Sequence, residues 1–176
     1  GVRGAKSESS VQWMTGDTAE LIKTAKEHLE NNELEDAYAI FGEAYDFAEM
    51  DEETEVLFYL GYTSYLMGDL PGTAGYLGDI IEVNTEADYF PNLLLFYGQV
   101  LAETFAFEDA IEWIQTYRDV ETIDPSVKQT ALLIEGISYS SLEDVENAKT
   151  ALEASRSIDP ESEVAKTAGT LLGELE

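Results

Sequence analysis

The sequence contains no cysteine, so disulfides, thiolate metal sites and cysteine nucleophiles are all excluded. It has a single histidine, His28, and no H-E-x-x-H, G-x-S-x-G or P-loop lysine, which leaves zincin, serine-hydrolase and phosphate-cradling chemistry without their residues. Positive charge is scarce: nine Lys and Arg stand against 37 Asp and Glu, a net charge of −28. Such a chain repels polyanions, which argues against nucleic acid and anionic membrane surfaces as partners. No apolar run approaches the ~20 residues of a membrane span, so no membrane insertion is expected.

What is present is enough for a core. Hydrophobic residues make up 44% of 176 positions, which suits one domain, placed here at 17–176. The first sixteen residues, GVRGAKSESSVQWMTG, lack the apolar centre of a signal peptide and are read as a flexible N-terminal segment, 1–16. Gly1 in place of Met points to a processed or trimmed start. If trimmed, the compartment leans extracytoplasmic (periplasmic), otherwise cytoplasmic.

A repeat organises the rest. Ala25, Gly61, Gly98 and Gly136 anchor four segments with constant internal offsets. Four residues earlier stand Leu21, Leu57, Leu94 and Leu132; nine later Leu34, Leu70, Phe107 and Val145; twelve later Ala37, Thr73, Ala110 and Ala148; sixteen later Phe41, Leu77, Ile114 and Leu152. Between anchors the spacing is 36, 37 and 38 residues, so the variation lies in the joints between units. Each unit reads as two amphipathic helices around a short break, at Asn31-Asn32, Gly68-Asp69, Thr104-Phe105 and Leu142-Glu143. The units are antiparallel helical hairpins over about 18–51, 54–87, 91–124 and 129–160, with a closing helix at 161–176.

The anchors are small because the two helices of a hairpin cross there. A glycine in a helix interior costs roughly 0.5–1 kcal/mol against alanine, and close packing must offset it. The small residue twelve positions later is expected to meet the anchor from the other helix. Helix starts are marked by Asp17 with Glu20, a capping-box pattern, and by Asp124-Pro125 and Asp159-Pro160, each a cap before a proline at the first helical position.

These residues resemble the tetratricopeptide repeats. Residues 57–77 carry Leu60-Gly61, then Tyr65, Gly68 and Asp69; residues 129–160 carry Gly136, Tyr139, Ala148 and a closing Asp159-Pro160. The resemblance covers about 18–176, with 161–176 similar to the solvating helix that ends such arrays. The chain departs from the family in its longer spacing, in the missing terminal proline of the first three units and in Tyr117 where a small residue is usual. The resemblance implies an all-α, right-handed superhelix of about four hairpins, without catalysis or cofactor. Its first helices would line a concave groove that binds a peptide or helix of another protein.

By that alignment the groove holds Ile22, Lys26 and Leu29, then Phe58, Tyr62 and Tyr65, then Leu95 and Gln99, then Leu133 and Ile137. Phe58, Tyr62 and Tyr65, spaced by four and three, share one helical face and could anchor a ligand or complete the packing of the array. The expected partner is a protein or peptide with apolar anchors and basic flanks. Lys26 stands alone, too little for the cationic cluster with which family members hold acidic chaperone tails. A secretion chaperone or an envelope-assembly adaptor is the alternative, and a metal-binding or enzymatic module the remote one. Oligomeric state stays open. His28 is read as structural, and Asp51-Glu52-Glu53 with Glu55 as a helix start whose carboxylates complement the dipole.

Between Lys26 and Arg118 there is no cation, while 21 acidic residues occupy that stretch of 91. Two readings compete: an acidic face that steers a basic partner, and a solvated coat adapted to high salt, which depletion along the entire chain favours. Unpaired carboxylates repel, and salt screens them. The salt-adapted coat predicts an unfolding midpoint that climbs steadily when thermal denaturation is followed from about 0.1 to 2 M KCl, well beyond the range where simple screening saturates.

Overall fold

The computed structural model describes residues 17–49, 51–84 and 90–176. The segment 1–16 lies outside them. Every regular element among the described residues is a helix, and the chain divides into two compact units, Gly1–Ala87 and Asp88–Glu176.

In the first unit α1 (Thr18–Glu30) packs against α2 (Leu34–Phe47), and α3 (Asp51–Leu66) against α4 (Leu70–Val83). Helix α2 also packs on α3, and α1 lies beside α3. The second unit repeats the scheme with α5 (Phe90–Glu103) on α6 (Phe107–Tyr117) and α7 (Pro125–Ser141) on α8 (Val145–Ile158). There α6 packs on α7, α5 lies beside α7, and a final helix, α9 (Glu163–Glu174), covers α8.

The sequence offsets reappear as packing. Ala25 and the bulky residues sixteen positions after each anchor, Phe41, Leu77, Ile114 and Leu152, are fully buried at 0% exposure. A methyl group added at Gly61 would lie 3.0 Å from Leu77 Cδ2, at Gly98 3.2 Å from Ile114 Cδ1, and at Gly136 2.6 Å from Leu152 Cδ2. The nearest partner of each glycine is therefore the large residue sixteen on, not the small one twelve on. Antiparallel geometry gives the reason. With the turn seven to eight residues after the anchor, positions level across the hairpin are zero and sixteen, or four and twelve. Thr73, Ala110 and Ala148 are buried, but they face a different level.

The turns share one stereochemical device. Asn32, Gly68, Phe105 and Glu143, each seven residues after an anchor, have φ of 60°, 85°, 65° and 62°. This left-handed residue lets the next N–H reach a carbonyl of the ending helix: Glu33 to His28 (2.8 Å), Asp69 to Ser64 (2.9 Å), Ala106 to Leu101 (2.8 Å) and Asp144 to Tyr139 (3.0 Å). Only Gly68 occupies it without strain; a bulky L-residue there costs roughly 1–2 kcal/mol.

Helix starts differ from expectation. Asp17 and Asp124 occupy the N-cap positions of α1 and α7 but accept no capping bond through their side chains. Asp159 ends α8 rather than starting a helix, and α9 begins at Glu163, capped by Ser162 whose Oγ accepts from the Ala165 N–H at 3.1 Å. The Asp159 carboxylate instead accepts from the Glu161 N–H, which closes the turn through Pro160. A buried glutamine holds this corner: the Gln129 side chain donates to the carbonyls of Ser155 (2.9 Å) and Asp159 (3.0 Å) and accepts from Ser162 Oγ (3.1 Å).

The glycine contacts predict an order of stability. Gly136→Ala forces Leu152 to move inside a closed core and should destabilise by about 1–2 kcal/mol despite the better helix propensity. Gly98→Ala should be near neutral. Gly75 is exposed with nothing within 4 Å of an added methyl, so Gly75→Ala should stabilise by about 0.5–1 kcal/mol. Urea denaturation of the three variants checks the order.

Candidate functional site

The first helix of each hairpin shows the same gradient of exposure around its anchor. The position just after the anchor faces outward: Tyr62 is 38% and Ile137 37% exposed, Gln99 is exposed and Lys26 half-buried. Three residues before the anchor the side chains sink, with Phe58, Leu95 and Leu133 half-buried and Ile22 only 5% exposed. Leu29 and Tyr65, one turn further along, are half-buried. On each of these helices, the position after the anchor is thus the more accessible and the one three before it the more closed.

In the first unit a groove of about 470 Å³ lies between α1 and α3, walled by Lys23, Lys26, Glu27, Glu52 and Glu55. Ile22, 5% exposed, lines the groove from its floor. Lys26 is already engaged: its Nζ lies 3.5 Å from Glu55 and 4.8 Å above the Tyr59 ring, which stacks at 5.3 Å on the buried Phe41. Phe58 meets Tyr59 edge-on at 5.6 Å.

In the second unit Leu133 is partly covered. Half-buried like Phe58 and Leu95, it packs one side on the cluster of Leu152, Ala168 and Leu172 that α9 helps to form. Gln99 donates to Glu103 on its own helix at 2.9 Å. A shallower groove of about 400 Å³ is lined by Glu108, Ile111, Glu112, Gln115, Tyr139 and Leu142. Beneath it lies an ion pair that the sequence did not announce. Glu135 is 4% exposed and accepts from Arg118 at 3.0 Å and from Gln115 at 3.3 Å, while Gln115 also donates to Tyr139 at 2.8 Å. The available signal was its register, since Leu60 and Tyr97 hold the same place in the second and third hairpins. Burial pushes the Glu135 carboxyl up, opposed by the Arg118 charge and the Gln115 hydrogen bond. On the rim, a hydrogen bond from Lys128 at 2.8 Å holds Asp119 below the ordinary carboxylate range.

His28 occupies the last turn of α1, with Nδ1 3.2 Å from Glu33 Oε1. Together with Asp36 these are the one group of three metal-capable side chains among the described residues, their ligand atoms within 4.8 Å of one another. Glu33 and Asp36 are exposed, and the arrangement is what a histidine near a helix C-terminus and an acidic helix start produce across a tight turn. The acidic run at Asp51, Glu52 and Glu53 forms the first turn of α3. Gly72 and Gly75 lie inside α4, where Gly72 donates its N–H to Asp69, the cap of that helix, at 3.0 Å.

Paired helices in register, a small residue at each crossing and a closing helix define the fold of the tetratricopeptide-repeat proteins. Solved structures carry the same fold. YrrB, described as a repeat protein of this type with an unusual peptide-binding site, is 17% identical with a TM-score of 0.72 over 87% of this chain and 74% of its own. A tetratricopeptide repeat protein from Parabacteroides merdae is 18% identical with a TM-score of 0.76, over 91% of this chain and 60% of its own. MamA from Desulfovibrio magneticus is 17% identical with a TM-score of 0.68, over 92% and 94%. At such identities the likeness establishes the fold. No protein-family model and no curated protein matches the sequence.

The buried pair predicts a pH-dependent cost. Because burial raises its pKa, ionised Glu135 opposes folding at neutral pH, an effect relieved as pH falls through that raised value; Arg118 offsets it. Arg118→Met should therefore lose about 3 kcal/mol at pH 7 and less at a mildly acidic pH, because the raised pKa lets this carboxyl take up a proton, and so dispense with its cation, sooner than an exposed glutamate does. Urea midpoints of parent and variant at both pH values test this; equal losses would assign Arg118 a packing role only.

Proposed function

We propose that the protein is a non-catalytic interaction module that docks a segment of a partner protein on the outward face of its first helices. The observation that supports this most is Tyr62, a large aromatic left 38% exposed at a repeat position, flanked one turn away on each side by half-buried Phe58 and Tyr65. Large rings with one wet edge and one packed edge are the side chains that most often dominate a binding interface. The ligand is a peptide or helix with an apolar anchor.

Charge favours basic flanks on that ligand. Glu27, Glu52 and Glu55 wall the adjoining groove, and Lys26 is held by Glu55 and Tyr59 instead of being presented to an incoming carboxylate. The groove's lining carries more carboxylates, Glu27, Glu30, Glu52 and Glu55, than lysines, Lys23 and Lys26, so Lys or Arg on the ligand would be steered in and an acidic ligand disfavoured.

Twelve-residue synthetic peptides carrying a central Leu or Phe between Lys and Arg residues provide the probe, with binding read by fluorescence anisotropy. Tyr62→Ala should weaken the tightest of them about 5- to 30-fold, a change of about 1–2 kcal/mol, with the far-UV circular dichroism unaltered. Undiminished affinity would take Tyr62 and its face out of the site.

A further inference from the structure

We propose a second docking point, at the turn between α5 and α6, where Phe105 and Phe107 receive a Lys or Arg side chain from a basic segment of a partner protein. Phe105 breaks two local rules at once: it is 79% exposed, and its φ of 65° lies in the left-handed region that suits a bulky side chain least. The fold does not ask for an aromatic there. The equivalent turn positions hold Asn32, Gly68 and Glu143 with the same backbone and the same closing hydrogen bond. A residue that is costly to the turn and idle in the core is accounted for by a contact outside the chain.

The surroundings select the occupant. Phe107 meets Phe105 edge-on with ring centroids 6.0 Å apart, so two rings form one small aromatic knuckle. Glu103, Glu108 and Asp109 stand exposed in the adjoining helix ends, and no Lys or Arg occurs anywhere between positions 26 and 118. An aromatic face among carboxylates, with no resident cation, is the environment that attracts an ammonium or guanidinium group. The same charge disfavours the other candidates. A second copy would set like-charged patches against each other, and an anionic lipid surface would be repelled.

A fluorescein-labelled dodecapeptide of alternating Arg and Gly tests this on the full chain, with a citrulline analogue as the neutral twin of matched shape. Phe105→Gly should raise the melting temperature, because glycine fits the left-handed turn, and yet weaken binding of the Arg peptide about fivefold. Tyr62→Ala should leave that binding unchanged, which separates this point from the face of the first helices. Equal binding by Phe105→Gly and parent would show general attraction to an acidic protein and overturn the proposal. Equal binding of the citrulline twin would replace the cation with an apolar contact, and sedimentation showing self-association that Phe105→Gly abolishes would make the occupant a second copy; either result overturns it too.

Discussion

Each hairpin depends on one crossing, where a buried bulky residue of the second helix lies against a small residue of the first. Leu77 against Gly61, Ile114 against Gly98 and Leu152 against Gly136 are successive instances, with separations so short that even a methyl group is crowded. This contact fixes the hairpin's register, since the two residues can be level only if the turn falls midway between them. The turn then has to close within a few residues, and the left-handed position seven after the anchor is how it does so. Register, turn geometry and interhelical distance are one constraint expressed three times. The joints between hairpins carry no such requirement, and that is where the spacing varies.

Much of this was legible because the constraint is periodic. A small residue with invariant neighbours at fixed offsets marks a repeating crossing, and the breaks at Asn31-Asn32, Gly68-Asp69, Thr104-Phe105 and Leu142-Glu143 coincide with the turns. What the pattern could not convey is which partner each glycine meets. Small residues at zero and twelve suggest a contact between them, but the symmetry of an antiparallel pair sets zero against sixteen. The left-handed turn was half-visible: glycine announces it at position 68, whereas Phe105 and Glu143 adopt it because backbone closure overrides their own preference. Caps were read less well, since Asp-Pro serves equally to start a helix and to leave one, and only the position of the neighbouring core decides.

The candidate surface was legible in outline for the same periodic reason. Phe58, Tyr62 and Tyr65 fall on one helical face, and Tyr62 is indeed accessible. Which members of the face reach solvent depends on what covers them, and this is a tertiary fact. Leu133 is half covered because it packs on the cluster of Leu152, Ala168 and Leu172, and Ile22 is nearly closed off because it lies deeper in the same stripe. Phe105 was placed in a break between helices, but its exposure and its left-handed backbone follow from the turn geometry and are seen only in the fold.

The distribution of cations ties the two proposed contacts together. Lys26, Arg118, Lys128 and Lys166 each hold a carboxylate within the chain, at 3.5, 3.0, 2.8 and 3.0 Å. Four of the nine cations are thus engaged in internal pairing, Arg118 with the buried Glu135, which without it would be an uncompensated buried charge. The field that remains on both units is that of carboxylates, strongest at low ionic strength and never cancelled by a nearby lysine between positions 26 and 118. In such a field an exposed aromatic is not a neutral hydrophobic patch. It is a π-face set among negative charges, and it discriminates between ligands by their charge before any shape is compared.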